Sequence, residues 1–283
     1  MTIEEVRKYQ LAQLELMRLM HELCDKLNLT YYLIGGTLLG AVRHGGFIPW
    51  DPDIDIAMPR EDYEKIREYF SQLDSDRYLY QHYSTEKNHL FPHALVRIKD
   101  SYVELAESQT RFKPSCEGIY LDIFPLDTPP VEKKLQEKQM RRIKFLKEVI
   151  YFKSERIFAG NSAVVKLGKR IVSRILFPFS FEFLNRKMDE CMRRYNDSNS
   201  GYLVSMASHY SYKKQLMPKD VYGTPIKMPF EGDFFFAPEK TENYLNRIYG
   251  DYMRLPSEED QQAMLNFVKK VEYTLEEKPH DGE

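Results

Sequence analysis

Apolar positions in the first part of the chain recur at helical spacing. Leu16, Leu19, Met20, Leu23 and Leu27 fall on one face, so residues 2 to 28 are predicted to form one long amphipathic helix that serves as scaffold. Thr2 followed by Glu5 is a capping-box pattern at its start. The period then changes. Tyr31 to Ile34 is a short apolar run that predicts a buried strand, and Gly35-Gly36 breaks it. Thr37 to Arg43 predicts a short helix with Thr37 as its cap, and Gly45, Gly46 and Pro49 supply the return loop. From Asp53 to Met58 the side chains alternate as in a strand. Asp53 and Asp55 share one face, and Ile54, Ile56 and Met58 share the other, toward a core.

Pro59 to Leu73 predicts a second amphipathic helix, with Tyr63, Ile66 and Phe70 on its apolar side. Tyr78 to Tyr83, Ala94 to Ile98 and Tyr102 to Ala106 are strand-like in their aromatic and β-branched content. Ile119 to Phe124 alternates again, with Tyr120, Asp122 and Phe124 on one face, and Pro125 and Pro129-Pro130 are expected to end this core. Phe179 to Tyr195 predicts a helix and Tyr202 to Ser205 a short strand. Turns are expected at Tyr222-Gly223-Thr224 and Phe230-Glu231-Gly232. A helix over Glu239 to Tyr249 stops at Gly250, and another is expected over Asp260 to Leu275. The whole reads as an α/β or α+β fold. Its divisions are expected at 1–130 (the sheet core), 131–200 (a helical insertion) and 201–283 (a part that returns over the site).

Composition changes this picture in one place. At 283 residues, 42% apolar and 30% charged, the chain is an ordinary globular protein, and a net charge of -2 gives no overall pull toward nucleic acid. From Lys133 to Arg174, however, 13 Lys plus Arg face three acids, a local charge of +10 that leaves -12 for the remainder. Ala163 to Phe177 mixes Lys166, Lys169, Arg170 and Arg174 with aliphatic residues. A basic amphipathic helix of that kind suits an anionic membrane surface, and equally a solvated lobe packed on the core. Cys24, Cys116 and Cys191 are too few and too scattered for a disulfide scaffold or a zinc site. Together with the absence of a signal-like or membrane-length apolar run, they are expected of a cytoplasmic protein, peripheral at the inner face of the plasma membrane.

The chemistry is concentrated around the acids. Two carboxylates on one strand face repel each other unless a cation lies between them, and hard oxygen ligands suit Mg²⁺ or Mn²⁺. The plain alternative is a solvated edge strand. The preceding Gly-Gly, helix start and Arg43-His44 pair weigh toward a phosphoryl-transfer site. Asp122, flanked by Tyr120 and Phe124, needs a partner or a cation, which makes it the third carboxylate of such a site. Arg97 and Lys99 share a strand face and are candidate phosphate contacts. His209 reads as a packing residue or a substrate contact, and no Ser/His/Asp spacing argues for a nucleophilic triad.

The run from Gly36 to Asp51, GTLLGAVRHGGFIPWD, followed by Asp53-Ile54-Asp55-Ile56, resembles the signature of the LicD family of phosphorylcholine transferases, to which the fukutin-type ribitol-phosphate transferases are related. The resemblance returns at Gly118 to Pro125, at Pro229 to Asp233 and between Tyr244 and Met253. Pro52 stands where bacterial members usually carry another Asp; Asp51, Asp53 and Asp55 keep their alternation. The resemblance implies a nucleotidyltransferase-like mixed sheet that binds Mg²⁺ through Asp53, Asp55 and Asp122. It implies transfer of phosphocholine from CDP-choline to a sugar hydroxyl of a bacterial surface glycan, a lipid-linked teichoic acid precursor, with release of CMP. In that reading Gly35, Gly36 and Thr37 admit the nucleotide, and Arg43, His44 and Lys99 meet phosphate. Asp51 joins the substrate contacts, and an aromatic wall for choline would fall to Trp50 or the tyrosines near Tyr210, although the single Trp reads first as a core residue. Three other readings stay open: transfer of another CDP-linked group such as ribitol or glycerol phosphate, nucleotidyl transfer from an NTP, and a non-catalytic glycan-binding protein.

Overall fold

The computed structural model describes residues 2–105, 112–154, 163–266 and 268–273. Within these, the side chains at 105, 163–166, 169, 170 and 268 lie outside the description, and with them Lys166, Lys169 and Arg170 of the basic stripe; Ala106 and residues 274–275 lie outside it altogether.

Helix α1 (Ile3–Leu27) carries the expected capping box between Thr2 and Glu5, and buries Leu16, Met20 and Leu23. It leads to β1 (Tyr32–Leu33), α2 (Gly35–His44), β2 (Asp55–Pro59) and α3 (Arg60–Gln72), whose Tyr63, Ile66 and Phe70 are buried. Strands β3 (Tyr78–Gln81), β4 (Ala94–Ile98), β5 (Ser101–Leu105) and β6 (Tyr120–Leu126) follow. The helical segment is α4 (Lys133–Lys153), α5 (Ala163–Ile175) and α6 (Phe181–Met192). The last stretch holds β7 (Tyr202–Val204), α7 (Tyr212–Gln215), β8 (Leu216–Pro218), α8 (Lys219–Tyr222), β9 (Ile226–Phe230), β10 (Asp233–Ala237), α9 (Thr241–Tyr249), α10 (Glu258–Leu265) and β11 (Val268–Tyr273).

The principal sheet has the order β1-β2-β6-β4-β3. β2 and β6 are parallel and the other neighbours antiparallel, so the sheet is mixed, as expected. The β2–β6 register sets Asp55 beside Asp122. Ile54, Ile56, Leu121 and Ile123 are fully buried on the apolar side.

Three elements differ from the sequence reading. Pro125 does not end its strand, because β6 runs on to Leu126. Pro125 lies beyond the last residue paired with β4, and its missing N–H interrupts no ladder on that side. Residues 260 to 275 do not form one helix: α10 stops at Leu265 and β11 pairs antiparallel with β5. The alternation of Val271 and Tyr273 with polar residues suits a strand that covers the open edge of β5. Tyr273 donates to Glu15 of α1, which also accepts from Arg77 at 2.7 and 2.9 Å and from Tyr78 at 2.7 Å. Finally, Thr37 is not the cap of α2. The helix begins at Gly35, with Ile34 at the cap position and no side-chain cap bond.

The C-terminal stretch reaches back to the N-terminal half. Glu231 (φ 54°) and Gly232 (φ 83°) make the tight turn between β9 and β10. Arg7 grips the Glu231 carboxylate with two bonds of 2.8 and 2.5 Å. The same carboxylate accepts from the Phe47 amide at 3.0 Å, and the Glu231 amide donates to the Gly45 carbonyl at 3.0 Å. The return loop before the acids is thereby fixed from a distant part of the chain. From the other side, the buried Gln10 of α1 donates to the carbonyls of Ile48 and Asp51, both at 2.9 Å.

Candidate active site

Strand alternation brings the acids to one cavity of about 730 Å³. Asp53 and Asp55 line it from the loop and start of β2, and Asp122 from β6 between Tyr120 and Phe124. Asp53 itself precedes the strand, but the Asp122 amide donates to the Ile54 carbonyl at 3.0 Å, so the ladder holds that loop in place. Thr37 turns its hydroxyl to the Asp55 amide, accepting at 2.8 Å, and so anchors the strand that carries the carboxylate.

The glycines are needed because carboxylates crowd them. A Cβ on Gly35, whose φ is +57°, would lie 3.0 Å from Asp55 Oδ2, and one on Gly36 would collide with Asp51 Oδ2. Both acids thus sit against the N-terminal turn of α2, the positive end of its dipole. Burial, then the charges of Asp122, Asp53 and Asp51, push the Asp55 carboxyl well above its ordinary range. Burial also raises Asp51, to about 6, against the opposing pull of the Asp53 amide and Arg43. Four carboxylates held together at this cost form an anionic site that suits a cation. Among the described residues, no three His, Cys, Asp or Glu side chains converge closely enough to cage a metal ion by themselves. A hard divalent cation here would share its coordination between carboxylates and the phosphates of a ligand, the usual habit of Mg²⁺.

The rest of the cavity was largely hidden from the sequence. His93 bonds through Nε2 to Asp122 Oδ1 at 2.8 Å and stacks on Phe124 with ring centroids 4.2 Å apart. His89 in turn bonds the His93 carbonyl at 2.6 Å. Extending β4 by one residue puts His93, Leu95 and Arg97 on one face, and all three line the cavity; that alternation is the signal that could have found His93. Lys147, on α4, lines it from the basic segment and donates to the Ser208 carbonyl at 2.5 Å; burial pushes its ammonium down to about 8. His209 lines the cavity as well. Burial lowers its pKa first, and then the charges of Lys147 and His93. Phe91, Phe112 and Tyr151 add aromatic wall.

Other sequence candidates lie elsewhere. Arg43 donates to the carbonyls of Tyr252 at 3.0 Å and Arg254 at 3.4 Å, and burial lowers its pKa. It is not among the residues that line the cavity, nor is His44, which is exposed and meets Trp50 edge-on at 5.9 Å. Trp50 is buried in the core. Removing a large apolar ring from water stabilises by about 1.5–3 kcal/mol, which favours the core over an open wall. Arg97 does line the cavity, but its guanidinium bonds Gln81 and the Gly118 carbonyl, both at 2.5 Å, and covers the Tyr120 ring. Lys99 bonds the Ser75 carbonyl. It lies four residues beyond Leu95, the partner of Asp122, roughly 13 Å along the strand. Tyr210 lies near enough to Asp51 and Asp55 for their charges to raise its pKa, after burial, and it packs on His209 at 4.1 Å.

Residues 28–165 match the family described as LicD/FKTN/FKRP, nucleotidyltransferase domain. The chain is 30% identical over 259 residues to the lipopolysaccharide cholinephosphotransferase LicD of Haemophilus influenzae, covering 90% of this chain and 94% of that protein. An uncharacterized protein of Rickettsia prowazekii is 42% identical over 77 residues, 25% of this chain and 29% of its own. The ribitol 5-phosphate transferase FKRP of Homo sapiens is 59% identical over 32 residues, 11% of this chain and 6% of that protein. With its mixed sheet, its acids on adjacent strands and a likeness that runs nearly end to end, the chain belongs to the LicD family of phosphotransferases.

Proposed function

We propose that the chain transfers phosphocholine from CDP-choline to a sugar hydroxyl of a bacterial surface glycan, such as a lipid-linked teichoic acid precursor, and releases CMP. The observation that carries this reading is the juxtaposition of Asp53, Asp55 and Asp122 with an aromatic-walled cavity. The acids suit a diphosphate held through Mg²⁺ or Mn²⁺, and aromatic faces suit a quaternary ammonium. The wall assigned to choline is Phe91, Phe112 and Tyr151, in place of Trp50.

Asp53, Asp55 and Asp122 are the residues that would hold the divalent ion. When bound, that ion would neutralise charge developing on the leaving nucleotide. The remaining work falls to the chain's own groups. Asp122, oriented by His93, accepts the proton of the attacking sugar hydroxyl. Lys147 directs its ammonium at phosphate oxygens across the cavity. The aromatic wall excludes water, which would otherwise compete with the sugar.

The test is CMP release from CDP-choline, CDP-glycerol and CDP-ribitol with Mg²⁺. CDP-choline should be used best, because a cation over aromatic rings gains about 0.5–2 kcal/mol, up to roughly thirtyfold in affinity, that neutral alditols lack. Tighter use of an alditol donor would move the chain to the branch of its ribitol 5-phosphate transferase relative. Release of pyrophosphate from an NTP would replace the reading altogether.

Lys147 supplies a separate check. Its charge is lost as pH rises through about 8, so donor affinity should weaken above that point. Lys147→Arg, charged at every accessible pH, should hold its affinity to higher pH. Matching pH profiles for the two proteins would remove Lys147 from the donor site.

A further inference from the structure

On α5, Leu167, Ile171 and Ile175 are spaced four residues apart and therefore lie on one face. All three are exposed, by 59%, 53% and 68%, and Phe177 and Phe179, just past the end of the helix, are exposed as well. The opposite side of the helix is the packed one. Ser173 is fully buried and donates to the Lys153 carbonyl at the end of α4, at 3.0 Å. The helix is thus turned with its apolar ridge outward, where water contact is costly unless another surface covers it.

The sequence around the ridge decides what that surface is. The segment from Lys133 to Arg174 carries +10, and Arg174 itself is exposed beside the ridge. A second copy of the chain docking ridge to ridge would bring two such segments together, and their like charges would oppose it. An anionic lipid surface reverses that sign: headgroups attract the basic residues while the apolar side chains enter the boundary of the acyl region. Among the described residues no helix is long and apolar enough to cross a membrane, so the ridge would lie on the surface.

We propose that the ridge of Leu167, Ile171 and Ile175 is a docking face for anionic membrane. The proposal is independent of which group the enzyme transfers.

The test uses the full chain with two kinds of vesicle, phosphatidylcholine alone and phosphatidylcholine mixed with phosphatidylserine, followed by sedimentation. The protein should pellet with the mixed vesicles, about tenfold or more in preference to the neutral ones, and high salt should release it. Ile171→Asp combined with Ile175→Asp should weaken that binding about tenfold or more. Arg174→Glu should weaken it less and flatten the salt dependence. Because these side chains are exposed, circular dichroism and turnover on a soluble acceptor should match the parent. Equal binding to both vesicle types, or binding unchanged in the Ile171/Ile175 variant, would overturn the proposal. So would self-association in solution that the same variant abolishes, since the occupant would then be a second copy.

Discussion

Asp55→Asn should lower CMP release by on the order of 10²–10³, since a metal-assembled phosphoryl site supplies several kcal/mol and each 1.36 kcal/mol is a tenfold change in rate. The same protein should be more stable than its parent when no divalent ion is present. Asp55 is held with Asp122, Asp53 and Asp51, and its pKa is raised. A carboxyl with a raised folded pKa favours the fold below its unfolded value, about 3.9, and loses that contribution as pH climbs through the folded value. For Asp51 that decline ends near pH 6. At pH 7, above the unfolded value, the contribution of Asp55 has already declined, and Asn removes part of the cost of holding that carboxyl among its neighbours. Adding Mg²⁺ should raise the thermal midpoint of the parent by binding only the folded state, and raise that of Asp55→Asn much less. Scanning calorimetry at pH 7, with and without Mg²⁺, measures both effects. Full turnover in Asp55→Asn, or an equal Mg²⁺ response in the two proteins, would refute the role given to Asp55.

Asp53, Asp55 and Asp122 were legible because strand alternation is a local rule. Once Ile54 and Ile56 are buried, their neighbours must face the other way, and the same holds for Asp122 between Leu121 and Ile123. What alternation does not give is which strands become neighbours; the Asp55–Asp122 register is a property of the assembled sheet. His93 escaped because it lies one residue outside the strand as its β-branched content delimits it. Lys147 escaped for a deeper reason. In a run of 13 cations nothing local marks the one that turns inward, and only the packing of α4 beside the cavity selects it. Thr37 has the residue type of a cap, yet tertiary context gave its hydroxyl to the Asp55 amide.

Arg60→Met should cost about 3–5 kcal/mol of folding stability, a large share of a typical domain's total. Arg60, at the start of α3, bonds both oxygens of the fully buried Asp127 at 2.8 and 2.7 Å and reaches Asp189 of α6 at 2.8 Å. Asn196 adds a bond of 2.8 Å to Asp127, and Tyr83 one of 3.1 Å to Asp189. Burial by itself would lower the guanidinium's pKa, but the two carboxylates outweigh it and hold the charge firmly. Removing Arg60 leaves two buried anions without their shared cation, which is far worse than losing an exposed pair. Lysine offers no planar fork and should rescue little. Replacing Arg60, Asp127 and Asp189 together by apolar residues should recover most of the loss, because no charge is then stranded. Urea unfolding midpoints for the single and triple variants give the comparison. A single-variant cost below about 1 kcal/mol would show that the network is open to water.

The long-range bonds around the acids also set a timetable. Arg7 waits for Glu231, Gly35 for the Tyr244 hydroxyl, and Glu15 for Tyr273, which is 258 residues later. At roughly 5–20 residues per second, a ribosome takes about 10–50 s to make that last stretch. During that interval the strand bearing Asp55 can pair with β6, but its return loop still lacks the Glu231 bonds that fix it. The nascent chain would carry an unfinished acidic pocket from the completion of β6 at Leu126 until Glu231 is made, 105 residues later, roughly 5–20 s at that rate.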